Sequence, residues 1–510
     1  MSETSLPLLI QSMQRSQFYP HPVTEPIQLI QTHVSYVLLT GDFVYKVKKP
    51  VNFGFLDFST LEKRHHFCQE ELRLNQRGAG DLYLEVLPIT QSGEQFQLGG
   101  DGQTVEYAVK MRQFPQDTLL SHLFEQGNLT EAILLNLAKT LADFHQTAPT
   151  SGYVRSFGEI PQVRQSIDEN YDQTVQYIGG PQTQSQFDET KAYTDRFFAE
   201  RHPLFASRIQ HNWIRECHGD VHLRNIALWQ DKLWLFDCIE FNEPFRFVDV
   251  MFDVAYIIMD LDVRKRSDLS TLFLNAYIEQ TGDWEGLQVL PIYLSRQSYV
   301  RAKVTSFLLG DPSLSDAARQ QIHDTAASYY TLAWQYTRPK QGQLILMSGL
   351  SGSGKTTTAR LLARQSGAIH IRSDAVRKHL AGIPLQANGG DELYTPEMSQ
   401  KTYAHLLELG ISLAAEGYAV ILDAKYDRQA TRSTAIAQAQ AQALPLKIVH
   451  CTAPLEVLQS RLKQRQGDIS DATMEVLQHQ NFEVFTEIEQ PFVKIVNTTQ
   501  ELEAQLKQIV

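Results

Sequence analysis

The sequence predicts a multidomain protein, α+β over its first two-thirds and α/β over its last third. Three observations carry this. The chain has 510 residues, beyond the ~300 at which a single hydrophobic core stops growing. From Gln343 onward, the β-rich runs "QLILMS", "AIHI", "YAVIL", "LKIVHC" and "FVKIV" alternate with helix-like segments, the pattern of a five-stranded parallel sheet covered on both faces. Before residue 337, strands come first and helices dominate afterwards.

Composition narrows the class further. Apolar residues make up 43% and charged residues 20% of the chain, values of an ordinary globular protein, which excludes disorder and fibrous classes. No apolar run approaches the ~20 residues of a membrane helix, and the start "MSETSLPLLIQSMQ" lacks a signal peptide's basic head and apolar core. A cytoplasmic protein without a membrane partner is expected. Cys68, Cys217, Cys238 and Cys451 show no Cys-x-x-Cys spacing, against a zinc site or disulfide framework. A net charge of −12 disfavours non-specific binding along nucleic acids.

Taking the elements in order, "THVSYVLLTGDFVYKVKKP" reads as two strands around the turn Thr40-Gly41-Asp42, and "STLEKRHHFCQEELRLNQ" as a helix capped by Ser59 or Thr60. "TEAILLNLAKTLADFHQ" places Leu134, Leu137, Ala138, Leu141 and Phe144 on one helical face, with Thr130 as its cap. A second hairpin joins "IALW" to "LWLF" through Gln230-Asp231-Lys232. The polar stretch 336–343, with Pro339 and Gly342, is the predicted boundary. It divides the chain into a domain over 1–337 (small lobe to about 115, large lobe beyond), a linker over 338–342 and a domain over 343–510.

The downstream domain opens on G-x-x-x-x-G-K-[ST]: Gly349, Leu350, Ser351, Gly352, Ser353, Gly354, Lys355 and Thr356, followed by Thr357. A strand precedes it and a helix follows, the context a phosphate-binding loop requires. Its backbone N–H groups and Lys355 suit the phosphates of ATP, and the Thr356 hydroxyl suits Mg²⁺. Arg372, Asp374 and Arg377 lie beyond the second strand, where open α/β sheets bind ligands. Asp374 suits the acceptance of a hydroxyl proton, or caps its helix. Asp423 ends the third strand and suits a Mg²⁺-bound water or an acceptor, unless it only makes the turn. Arg461 and Arg465, four apart on one helix, suit a lid over the transferred phosphoryl group, or a solvated face. These motifs resemble the small P-loop kinases, such as gluconate kinase, chloramphenicol phosphotransferase and polynucleotide kinase. That resemblance implies a substrate-hydroxyl role for Asp374.

Upstream, "CHGDVHLRNIALWQDKLWLFD" sets Asp220 five residues before Asn225, and its hairpin returns Asp237 beside them. One carboxylate to orient a hydroxyl and two hard oxygen ligands for Mg²⁺ are what phosphoryl transfer needs. The spacing is that of the protein-kinase catalytic loop, and "HGDVHLRN" resembles the aminoglycoside phosphotransferase branch. "LADFHQTAP" and "FVDVMFDVAY" agree, implying that Asp249 and Asp253 shape the catalytic loop. A kinase-like small lobe supplies a strand lysine and a helical glutamate: Lys46 or its same-face neighbour Lys48, and Glu70 or Glu71. The covering loop "QTHVS" lacks the glycine-rich pattern of protein kinases.

The order of parts resembles bacterial fusions of an aminoglycoside-phosphotransferase-like domain with a P-loop kinase-like, AAA-type ATP-binding domain. The resemblance implies a kinase using ATP and Mg²⁺ at two sites on hydroxyl groups of small molecules. Two alternatives stand beside it: one domain regulates the other through its nucleotide, or the downstream domain phosphorylates nucleic-acid 5′ ends.

Overall fold

The computed structural model of the protein describes residues 6–387, 389–464, 469–470, 477–478 and 480–509. They form two compact units: residues 1–130, 143–169 and 201–257, and residues 131–142, 170–200 and 258–510. The division passes through the helix Glu131–Thr147, whose predicted apolar face, from Leu134 to Phe144, is buried as expected.

The first unit is built on a six-stranded antiparallel sheet, comprising β1 (Gln28–Gln31), β2 (Ser35–Leu39), β3 (Phe43–Lys48), β4 (Tyr83–Ser92), β5 (Gln95–Leu98) and β6 (Gln103–Arg112), in the order β1-β2-β3-β6-β4-β5. The Thr40-Gly41-Asp42 turn joins β2 to β3 as predicted. Between β3 and β4 the chain forms the helix Leu61–Ala79, which packs on β4 and β6. Thr60, rather than Ser59, caps it by accepting from Lys63 N–H at 3.3 Å. Period-two alternation gives the sheet its two faces. Tyr45 and Val47 of β3 enter a core with Ile10, Met13 and Leu38, so Lys46 and Lys48 face the helix side. There Cys68, Tyr83, Val109 and Trp234 make a second core.

The rest of this unit contains β7 (Ile214–Glu216), the hairpin β8 (Ile226–Trp229) and β9 (Lys232–Leu235), and β10 (Phe247–Asp249), which pairs with β7. The predicted second hairpin is present, but its turn is two residues. Gln230 and Asp231 both have positive φ, +53° and +57°, as a tight hairpin turn with right-handed strand twist requires, and Lys232 already pairs with Trp229 in the ladder.

The second unit contains the predicted five-stranded sheet. β11 (Gln343–Ser348), β12 (Ile369–Arg372), β13 (Ala419–Asp423), β14 (Leu446–Thr452) and β15 (Val493–Asn497) lie in the order β12-β13-β11-β14-β15, every pairing parallel. Its strands are near-continuous apolar runs because helices cover both faces, and Ile345, Met347, Ile421, Val449 and Val496 meet the helix Lys355–Ser366 in one core. The helix Ser267–Thr281 packs against that helix and against β12.

Candidate phosphoryl-transfer sites

In the first unit the structure decides between the paired alternatives of the sequence. Lys46 Nζ lies 2.8 Å from Glu71 Oε1 and 2.7 Å from Asp237 Oδ1, so one ammonium joins the helix glutamate to the predicted metal ligand. Lys48 is also drawn in: its Nζ lies 2.6 Å from Glu71 Oε2 and pairs with Glu240. Glu70 is corrected. One residue further along the helix turns a side chain by about 100°, and its carboxylate meets Arg73 at 2.8 Å and Arg246 at 3.8 Å instead. Burial opposes the charge on Lys46, but Asp237 and Glu71 outweigh it and hold the ammonium well above its ordinary range. Burial likewise opposes ionisation of Asp237, and Lys46 more than offsets it, keeping that carboxyl low. The pair is ionised at neutral pH.

The catalytic loop is held from beneath. Asp253 accepts from the backbone N–H groups of His218 (2.8 Å) and Gly219 (2.9 Å), and His145 Nε2 lies 3.1 Å from the same carboxylate. Gly219 has φ +87°, and a Cβ there would sit 2.6 Å from the Phe245 carbonyl, which explains a glycine after the histidine. His218 donates from Nε2 to the Phe236 carbonyl (2.9 Å) and accepts from Asp220 N–H at Nδ1 (3.3 Å), so this buried imidazole is neutral; burial lowers its pKa. It ties the loop to the residue preceding Asp237. Asn75 of the glutamate helix receives Cys238 N–H at 2.9 Å on the other side, and Asp237 itself is left-handed at φ +64°. Asp249 is one step removed, bracing Arg208 with two bonds of 2.8 and 2.7 Å and capping Met251 N–H. His145, Cys217 and Asp253 come close enough together to hold a metal ion, but both Asp253 oxygens already serve the loop.

Asp220 remains partly exposed, 30% by its side chain. Asn225 donates from Nδ2 to its backbone carbonyl (3.0 Å) and to its carboxylate (3.3 Å), which turns the amide oxygen away from Asp220. That oxygen and the Asp237 carboxylate form a hard-oxygen pair that fits Mg²⁺. The cation, when bound, would neutralise charge on the phosphates.

In the second unit, the residues from Gly349 to Lys355 form the expected loop. Gly349, at φ +136°, would place a Cβ 2.5 Å from the Cys451 carbonyl, and its N–H bonds the Lys425 carbonyl at 3.0 Å. Lys355 donates to the carbonyls of Gly349 and Leu350, each at 2.9 Å, and burial pushes its ammonium below the ordinary range. A cavity of about 2440 Å³ opens in front of the loop, lined by Lys355, Thr356, Thr357, Asp374, Arg377 and Asp423 among others. Two of the carboxyls in it, Asp374 and Asp423, diverge. Burial raises Asp374, against the pull of Arg372. Burial also acts on Asp423, but His370, 3.1 Å away, and then Arg372 and Lys355 bring it down to about 2. Neighbouring acids pushed apart in this way differ in their readiness to ionise, and Thr356 and Asp423 carry hard oxygens of the kind that fits Mg²⁺.

Two expectations change. Arg372 is 2% exposed at the end of β12 and points to Glu279, 3.5 Å away, so it supports the site electrostatically without lining the cavity. Arg461 lines the cavity, but it is no free lid residue: it donates to Thr498 Oγ1 and O, both at 2.8 Å, and Thr498 in turn donates to the Ser353 carbonyl at 2.8 Å. Arg465 lies outside the described residues. Asp374 sits in the first turn of the helix Ser373–Leu380, lines the cavity, and is hydrogen-bonded by Ser470. The sequence reading missed Lys48 as a second ion-pair partner, Glu240, His370 and Thr498. Only Lys48 and His370 carried a signal: a second lysine on the same strand face, and a histidine inside an apolar strand.

Two phosphoryl-transfer folds thus share one chain, a protein-kinase-like one with its lysine, glutamate and catalytic loop assembled, and a P-loop one with its strand-loop-helix intact. Residues 344–486 match a family described as an AAA domain, in agreement with the P-loop reading. The uncharacterized protein Rv2004c of Mycobacterium tuberculosis (strain ATCC 25618 / H37Rv) is 31% identical over 467 residues, covering 89% of this chain and 90% of that one. The chain belongs to the same family as that mycobacterial protein. Among solved structures, a choline/ethanolamine kinase family protein from Mesorhizobium loti is 11% identical, covering 65% of this chain and 99% of that one with a TM-score of 0.40. The GDP complex of aminoglycoside 2'-phosphotransferase-IIIa is 12% identical, covering 64% and 99%, with a TM-score of 0.39.

Proposed function

We propose that the protein is an ATP- and Mg²⁺-dependent phosphotransferase with two nucleotide sites, each passing the γ-phosphate to a hydroxyl of a small molecule. The observation that carries the reading is Lys46 joined to both Glu71 and Asp237 with Asp220 and Asn225 alongside. A protein that had lost transfer and kept only nucleotide binding has no need to retain the hydroxyl-facing Asp220. In the upstream site, Lys46 holds the phosphates, Asn225 and Asp237 hold the metal, and Asp220 accepts the hydroxyl proton as the oxygen attacks phosphorus. Downstream, the loop from Gly349 to Thr357 holds the phosphates, Asp374 accepts the proton, and Arg377 contacts the acceptor.

The test is to incubate the purified chain with ATP and a metabolite extract and to find by mass spectrometry which species gain phosphate. Asp220→Asn should remove one set of products and Lys355→Ala another, each by ~10²-fold or more, the range of a lost general base or phosphate contact. ATP turnover undiminished in both variants would rule out the two-site reading.

A further inference from the structure

Two features of the downstream cavity concern the acceptor rather than the nucleotide. The first is room. A single small ligand fills ~300–1,000 Å³, so about 2440 Å³ leaves a second compartment beyond the phosphates. The second is an unpaired buried charge. Arg377 is 7% exposed and lines the cavity. One terminal nitrogen donates to the Leu393 carbonyl at 2.7 Å and meets Ser399 Oγ at 3.4 Å, and the guanidinium lies 4.9 Å from the Tyr394 ring centroid. Among the described residues no carboxylate lies within ion-pair distance, Nε has no hydrogen-bond partner, and the second terminal nitrogen donates to no residue. A guanidinium cannot shed its proton, and a desolvated charge without a counter-ion is costly.

Its surroundings carry both signs with the basic side chains in excess: Lys355, Arg360, Lys425, Arg428 and Arg461 line the same cavity against Asp374, Glu408, Asp423 and Asp427, with Lys425 3.8 Å from Asp427, although the chain as a whole carries −12. Asp374 and Arg377 are three residues apart on one helix, so they share a face with Cβ atoms ~5–6 Å from each other. A hydroxyl at Asp374 and an anion at Arg377 fit within one small molecule.

We infer that the downstream acceptor carries an oxyanion (phosphate, sulfate or carboxylate) besides its reacting hydroxyl, with Arg377 as the buried counter-charge and Lys425 at the rim. This rests on reading the cavity as a phosphoryl-transfer site. In the transfer, the acceptor oxygen bonds to the γ-phosphorus, the bond to ADP breaks, Asp374 takes the hydroxyl proton, and the oxyanion is unchanged. A cationic acceptor would meet Arg377 with like charge, and a neutral one would leave it unpaired.

The first arm needs no turnover. With both nucleotide sites saturated by a non-hydrolysable ATP analogue and Mg²⁺, sulfate is titrated into the full chain by calorimetry. A saturable site is expected, weakened ~10-fold or more by Arg377→Met, the loss of a charge-assisted contact, and ~3-fold by Lys425→Ala. Lys425 is 41% exposed by its side chain, so its variant reports even where Arg377→Met fails to fold. Absence of saturable sulfate binding in the parent, or affinity unchanged in every folded variant, overturns the inference. In the second arm the Asp220→Asn chain phosphorylates a metabolite extract fractionated on an anion-exchange resin. An acceptor retained by the resin supports the inference: loss after phosphatase pretreatment identifies a phosphomonoester, survival a sulfate or carboxylate. A labelled acceptor that flows through overturns it. Sulfate binding without any labelled acceptor sinks the phosphotransfer reading while the oxyanion site stands; a labelled neutral acceptor does the reverse.

Discussion

Replacing Glu71 by Gln keeps the side chain's shape and removes one charge from the centre of the upstream ion-pair cluster. Glu71 is fully buried, and its two oxygens meet Lys46 at 2.8 Å and Lys48 at 2.6 Å. Breaking a buried pair by deleting one partner costs ~3–5 kcal/mol. Both lysines keep a second carboxylate, Asp237 for Lys46 and Glu240 for Lys48, so the lower end, ~3 kcal/mol, is expected. For a domain of ~150–250 residues that corresponds to a fall in Tm of ~6–12 °C. The control is Glu70→Gln one residue away. Glu70 pairs with Arg73, whose side chain is 45% exposed, and a surface pair of that kind contributes ~1 kcal/mol or less. Thermal unfolding of the full chain checks the stability. ATP turnover in a Lys355→Ala background isolates the upstream site, where Glu71→Gln should raise KM for ATP as Lys46 is drawn toward Asp237, while Glu70→Gln leaves KM unchanged. Equal behaviour of the two variants, in melting or in KM, would refute the assignment of the helix glutamate and with it the role given to Lys46.

Two further predictions concern the downstream site. The acid limb of kcat/KM in an Asp220→Asn background should lie above the ordinary aspartate range, because the raised Asp374 must lose its proton to act as a base; a limb at pH ~4 or below excludes Asp374 from that role. Asp423 gives the opposite sign in stability. Its folded pKa of about 2 lies below the unfolded value of ~3.9, so its contribution is present above that value and lost as pH falls toward 2, and His370→Gln should diminish this acid-side dependence in a pH series of denaturant melts. For Arg461, the bonds to Thr498 predict that Arg461→Ala weakens binding of a non-hydrolysable ATP analogue ~10-fold by calorimetry and that Arg461→Lys does not restore it, since an ammonium cannot reproduce the two-point contact. A residue acting only on the transferring phosphoryl group would leave analogue affinity unchanged.

How much of this was legible in the sequence follows from the range of the interactions. The parallel sheet, the phosphate loop and the "HGDVHLRN" segment are local patterns whose spacing alone fixes their geometry, and they fold as read. Lys46 and Glu71 lie 25 residues apart in sequence on different elements, and the choice between Glu70 and Glu71 depends on the rotation of one helix about its axis, which the cap at Thr60 and the packing on β4 and β6 set. The pairing of Lys48 with Glu240 spans 192 residues, beyond any spacing rule. Arg461 and Arg465 were visible as a pair, but whether such a pair faces a ligand or braces a loop is decided by Thr498, which carries no motif.

The two sites solve one electrostatic problem by different means. Each must hold a cation ready for phosphate while keeping a carboxyl free to take a proton. Upstream, carboxylates are placed against the cation: Lys46 is shared between Glu71 and Asp237, which fixes its charge, and Asp220 is left outside the cluster with Asn225 and His222 beside its carboxylate. Downstream, Lys355 is held by the neutral carbonyls of Gly349 and Leu350, and burial works against its charge. The low carboxyl, Asp423, is then stabilised by His370 rather than by a dedicated lysine pair, and the buried Asp374 stays high. Arg377, with neither a carboxylate nor a second carbonyl among the described residues to occupy it, likewise leaves its charge to be met by what binds.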